Sequence, residues 1–192
     1  MVTKHLLQKN KSGFALLMTL IVVGVLISIG IAVLDLSLKQ VRLSTNAKES
    51  ETAFHAANAG VECARYWRRI ASSSMESGAA ISPACFSASP TTNAVTQVVA
   101  GVTGTGNVYL YDYSFSWGTK PRCTKIQTLV INAVSTTTVS NMTTLIPGYP
   151  TGDTKSCAGG EKCTVISTRG YNRLCTSASG YGSVEREVLL QF

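Results

Sequence analysis

The feature that most limits what this chain can fold into is the run from Phe14 to Leu34, which holds neither a charged residue nor a proline. At about 1.5 Å of rise per residue, a helix of that length covers the roughly 30 Å hydrocarbon core of a bilayer. Lys4, Lys9 and Lys11 precede it. The positive-inside rule therefore sets its N-terminal end in the cytoplasm and the residues after Leu34 outside. An ordinary secretory signal has an apolar region of about 7–15 residues and then a small-x-small cleavage site, and this run is too long for that. Read alone, it is a signal anchor holding an ectodomain.

Helical character continues past the membrane length. No proline interrupts Phe14 through Ile70, and Leu43, Ala47, Ser50, Phe54, Ala57, Val61 and Ala64 alternate at spacings of four and three, the pattern of one helix face. Asp35 with Lys39 and Glu51 with His55 are i, i+4 pairs that support a helix. The reading is one helix with a length of about 80 Å at the standard rise. Ser72 to Ser74 and Gly78 are expected to stop it. Gly24, Ser28 and Ala32 fall four apart, a small-residue row that lets membrane helices approach closely.

Six cysteines follow: Cys63, Cys85, Cys123, Cys157, Cys163 and Cys175. An even number downstream of an export signal reads as disulfides. No Cys-x-x-Cys is present and both histidines lie far from the cysteine-rich tail, so no metal is expected. Cys63 stands one turn before the expected helix end; Cys85 is its nearest partner in sequence, with Cys123 as the rival.

The rest reads as a β domain. Residues 82 to 107 are rich in Ser, Thr, Ala and Gly, a long loop with a short strand near Val95 to Val99. Tyr109, Tyr111, Tyr113, Phe115 and Trp117 then alternate with smaller residues at the period of a strand. Ile126 to Val134, Lys162 to Thr168 and Val184 to Phe192 are further strands. About four antiparallel strands packed on the helix stripe would bury both apolar faces, which predicts an α+β fold with the aromatic ladder facing the helix. Such a ladder on a free face would instead serve as a stacking platform.

No Gly-x-Ser-x-Gly, phosphate-cradling loop or His-Glu-x-x-His occurs, so neither an enzyme nor a cofactor is expected. The formal charge is +7, and +4 without Lys4, Lys9 and Lys11. Arg65, Arg68 and Arg69 crowd the helix end while Lys120, Arg122 and Lys125 surround Cys123. If the two groups converge, DNA phosphate or another acidic surface ligand becomes a partner.

Lys11-Ser12-Gly13-Phe14-Ala15-Leu16-Leu17 resembles the processing site of type IV prepilins. Ala53 to Trp67 (AFHAANAGVECARYW) and Thr168-Arg169-Gly170-Tyr171-Asn172 with Cys175 and Val184-Glu185-Arg186 are similar to helix-end and C-terminal patterns of that family. The resemblance runs from the N-terminus to Trp67 and resumes near Cys163 for the C-terminal stretch. It implies a leader at 1–13, a transmembrane and stalk helix at 14–70 and a secreted β domain at 71–192. A prepilin peptidase/methylase would cut between Gly13 and Phe14 and methylate Phe14. Gly24, Ser28, Ala32, Leu43, Ala47, Phe54, Ala57 and Val61 would be the helix-packing residues. The chain would be a pilus (fimbrium) or pseudopilus subunit, held by one span in the cytoplasmic membrane and then carried into an extracellular filament beside other pilin subunits. An anchored adhesin or DNA receptor that never enters a filament is the alternative. Major pilins carry glutamate as the fifth mature residue, where this chain has Met18. That acid neutralises the amine of the next subunit, and an uncompensated intramembrane charge costs at least a few kcal/mol. The departure implies a minor subunit, suited to the tip.

Overall fold

The computed structural model describes residues 12–90, 92–119, 122–150 and 152–192. The leader up to Lys11, with its three lysines, and Lys120 lie outside the described residues. Helix α1 runs without a break over Ser12–Ile70. It stops at Ala71, whose φ of −108° and ψ of 27° leave the helical region. The serines expected to end it form the short α2, Ser72–Ser77, which closes on Gly78 in the left-handed region. Serine competes with the backbone for hydrogen bonds and marks helix ends, and here the three serines open a separate short helix after α1 has stopped.

The chain divides into two compact units inside α1, between Ala47 and Lys48, rather than at the helix end. In the first unit every residue from Gly13 to Ala47 is exposed, and among the described residues this is the one helix long and apolar enough to cross a membrane.

The second unit is α+β. Its eight strands are β1 (Thr92–Val98), β2 (Val102–Thr103), β3 (Gly106–Trp117), β4 (Arg122–Ala133), β5 (Thr137–Ser140), β6 (Thr154–Cys157), β7 (Lys162–Tyr171) and β8 (Glu185–Gln191). A five-stranded sheet has the order β1-β3-β4-β7-β8, each neighbour antiparallel, where about four strands were expected. A second sheet, β2-β5-β6, was not expected at all. It lies with helix α3 (Met142–Leu145) against the opposite face of the main sheet, where Val139, Met142, Ile146 and Cys157 pack on Leu110, Leu129, Ile131 and Val165.

The central strands are therefore covered on both faces. In β4, Ile126 and Val130 join Tyr111, Tyr113, Phe115, Cys63 and Ala64 on the α1 side, while Leu129 and Ile131 point to the second sheet. Double coverage explains why Ile126 to Val134 reads as a nearly continuous apolar run rather than an alternation. Tyr111, Tyr113 and Phe115 are completely buried, so the aromatic ladder is core and not a stacking platform.

Candidate functional site

The second unit is organised by the seam between α1 and the sheet. Ala53, Ala56, Ala57, Gly60 and Ala64 form the buried helix face. Opposite them lie Thr124, Thr168 and Gly170, adjacent on β4 and β7. A Cβ on Gly170 would collide with the Ala53 carbonyl and the Ala57 amide, and one on Gly60 would press on the methyl of Thr124 and on Thr168. Gly170 thus permits an approach of backbone to backbone, and Gly60 lets the helix backbone close on the two threonine side chains. The Thr168 hydroxyl donates to the Ala57 carbonyl at 2.8 Å and the Thr124 hydroxyl to the Ala56 carbonyl at 3.0 Å. Thr124 in turn accepts from the Trp117 indole at 2.9 Å.

This face differs from the stripe read in the sequence. Ala57, Val61 and Ala64 lie on it, Ser50 is half-buried, and Phe54 is 46% exposed. A phenyl ring at the seam would hold α1 too far out for the threonine bonds, so the ring points away. Sequence reasoning passed over Ala53, Ala56, Gly60, Thr124 and Thr168, although the Ala53, Ala57, Gly60, Ala64 spacing was a usable signal.

Leu43 and Ala47, in the first unit, are exposed, as are Gly24, Ser28 and Ala32. Space within 4 Å of a Cβ at Gly13 or Gly24 is empty. Nothing within the described chain calls for glycine at those two places, in contrast with Gly60 and Gly170. Phe14 is 68% exposed. Thr19 and Ser28 bond their hydroxyls to the carbonyls of Leu16 and Val25, both at 2.8 Å, which satisfies them without water.

Three disulfides use all six cysteines: Cys63–Cys85, Cys123–Cys175 and Cys157–Cys163. The first is the pair placed ahead of Cys63–Cys123 in the sequence reading. It draws the segment after α2 over the aromatic core, where Phe86 stacks on Trp117 at 4.5 Å between centroids and meets Phe115 edge-on at 5.6 Å. Cys157, Glu161 and Cys163 lie within 4.8 Å of one another, but with the two sulfurs bonded to each other they offer no thiolate pair to a metal.

At the other end of the seam, buried Arg68 donates to Glu76 at 2.9 Å and to the Thr164 hydroxyl at 3.0 Å. Lys162 bonds the second Glu76 oxygen at 2.6 Å. The Lys162 bond, joined by Arg68, holds the Glu76 carboxyl below the usual carboxylate range against the opposing effect of burial. Burial raises Tyr113, and burial with the neighbouring Glu185 pushes Tyr171 up to about 12. Neither tyrosine ionises near neutrality.

The two basic groups do not converge. Arg68 sits over Thr164, whereas Arg122 lies at the end of β4 where Cys123 pairs with Tyr171. Seven residues of β7 separate those levels, about 23 Å. Lys125, which faces Arg169 across the ladder, also projects from the sheet face opposite to Thr124 and Ile126. Arg65, Arg68 and Arg69 instead line a groove of about 410 Å³ with Leu190 and Phe192.

These features define an α+β protein with a long N-terminal apolar helix whose later turns carry an antiparallel, disulfide-bonded sheet. No protein-family profile, characterised protein or solved structure matches the chain at a significant level.

Proposed function

We propose that this chain is a minor structural subunit of a type IV pilus or related pseudopilus, assembled by packing of α1 and displaying the β domain at the tip. The observation that carries the reading is the contrast between its glycines. Gly60 and Gly170 are demanded by contacts inside the chain, while Gly13, Gly24 and Gly30 stand in open space on a stretch of helix that is exposed throughout. A glycine within a helix costs about 1 kcal/mol relative to alanine, so one that no internal contact uses points to an external user. For Gly13, followed by Phe14 and the charge-free segment, that user is the prepilin peptidase/methylase. For Gly24 with Ser28 and Ala32, it is the helix of another pilin subunit.

A charge-free segment that continues within one helix into the sheet-bearing turns supports the same reading, because the span and the displayed domain then share one element. Met18 favours the tip, where no further subunit is added above. In this reading the subunit waits in the cytoplasmic membrane by a single span, with residues after Leu34 outside, and leaves it for the extracellular filament.

Mass spectrometry of the mature N-terminus tests the assignment. A chain beginning at methylated Phe14 is expected. Exported protein that retains Met1 would overturn it and assign a signal-anchored adhesin or receptor instead.

A further inference from the structure

We propose that the free edge of β8 accepts an extended, acidic segment of a partner chain as a sixth strand of the main sheet, with the partner's carboxylates held by Arg65 and Arg69. The backbone supplies half of the case. Phe192 and Thr164 exchange both of their amide-to-carbonyl bonds, at 3.1 and 2.7 Å. In an antiparallel ladder such reciprocal pairs recur at every second residue, so Leu190, Val188 and Arg186 also turn their backbone groups toward β7. The amides and carbonyls of Glu187, Leu189 and Gln191 consequently point outward. β8 pairs with β7 alone, and among the described residues no backbone partner covers that edge.

Edges of this kind are usually guarded by charge, proline or a bulge. The first half of β8 is guarded by Glu185, Arg186 and Glu187. Val188 to Phe192 has no charged side chain, no proline and no register break. An unguarded stretch of this kind is what strand addition requires.

The side chains supply the other half. On the α1 side of β8, Leu190 and Phe192 floor the groove whose wall is Arg65, Arg68 and Arg69, and its volume of about 410 Å³ falls in the range of roughly 300–1,000 Å³ typical of binding clefts. Arg68 is held by Glu76 and Thr164. Arg65 has only the exposed Glu62 at 3.1 Å, and Arg69 has no partner among the described residues. The cations Arg65, Arg68, Arg69 and Lys162 stand against the carboxylates of Glu62 and Glu76, which leaves positive charge in excess. A strand laid along β8 directs every second side chain into this groove, where a carboxylate meets an arginine fork and a valine or leucine meets Leu190 and Phe192.

The inference does not rest on the pilus reading, since any partner outside the membrane could supply the strand. Its test uses the full chain in detergent micelles and a fluorescent, capped heptapeptide of alternating valine and glutamate, followed by anisotropy. Saturable binding is expected, at least tenfold weaker for the glutamine analogue and for the R65E/R69E variant, and lost when alternate peptide nitrogens are methylated. L189P, which removes an outward amide and leaves the β7 ladder intact, should lose binding while circular dichroism stays unchanged. Absence of saturable binding overturns the proposal. So does equal binding of the methylated probe, which would make the groove an anion site without strand addition. A charge-independent dimer of the full chain that L189P dissociates would assign the edge to a second copy, and also overturns it. The N-terminal mass is untouched by any of these results.

Discussion

Gly170 of β7 faces Ala53 and Ala57 of α1 at a separation that leaves no room for a side-chain carbon. Substituting Gly170→Ala forces helix and strand apart, and with them the hydroxyl bonds from Thr124 and Thr168. Overpacking of this kind costs about 1–3 kcal/mol, and the colliding atoms are backbone, which cannot swing aside. G170A should lower the denaturant midpoint of the β domain accordingly. An unchanged midpoint would mean that the helix does not sit where Gly170 requires it.

The two threonines at the seam should separate in their effect. Thr168→Val removes one donor to the Ala57 carbonyl, which keeps its helical partner, so the loss should be about 1 kcal/mol. Thr124→Val also strips the Trp117 indole of its acceptor and should cost about 2 kcal/mol, because a half-buried N–H is left unmet. Chemical denaturation of the two single variants measures the difference, and equal losses would argue against the Trp117 link.

Much of this seam was legible beforehand and its rotation was not. The aromatic period of β3, the apolar run of β4, an uninterrupted α1 and the preference for Cys85 over Cys123 as the partner of Cys63 all follow from local pattern or short loop closure. The stripe through Phe54 and the stripe through Ala53, Ala57 and Gly60 both satisfy helical spacing. Hydrophobicity favours the first, and only the demand for close backbone approach selects the second. Strands β5 and β6 were missed for another reason. Thr137–Ser140 and Thr154–Cys157 are short and hydroxyl-rich, as loops are, and they become strands through pairing with each other and through burial of Val139 and Cys157.

Glu76 gives the β domain a pH dependence with a definite sign. Its carboxyl is held below the ordinary value in the folded chain, so the unfolded chain takes up a proton first as pH falls. The stabilisation is fully present above the ordinary carboxylate pKa of about 4.5 and disappears as pH drops through the depressed folded value. Glu76→Gln should cost about 2 kcal/mol at neutral pH, since Arg68 stays buried with its charge unanswered, and should flatten the acid limb of a stability profile. Lys162→Met, at a more exposed position, should cost under about 1 kcal/mol. A Glu76→Gln profile that runs parallel to the parent throughout the acid limb would remove Glu76 from this role.

The Cys63–Cys85 bond should matter for the aromatic lid as well as for stability. Cys123, the rival partner, turns with Leu129 and Ile131 to the sheet face away from α1, where it meets Cys175, so the sheet itself stands between it and Cys63. Peptide mapping under non-reducing conditions should therefore recover Cys63 with Cys85, Cys123 with Cys175 and Cys157 with Cys163. Closing a loop of 22 residues removes about 3 kcal/mol of unfolded-chain entropy. The double variant C63S/C85S should lose close to that amount, with the Trp67 indole bond to Ala84 and Phe86 on Trp117 left to keep the segment near its place. Those two contacts alone cannot hold the segment as tightly, so the near-ultraviolet circular dichroism of Trp117 should weaken while the far-ultraviolet spectrum of α1 and the sheet is retained. Loss of both signals together would show that the bond supports the whole sheet rather than its lid, and recovery of Cys63 joined to Cys123 would place the lid elsewhere.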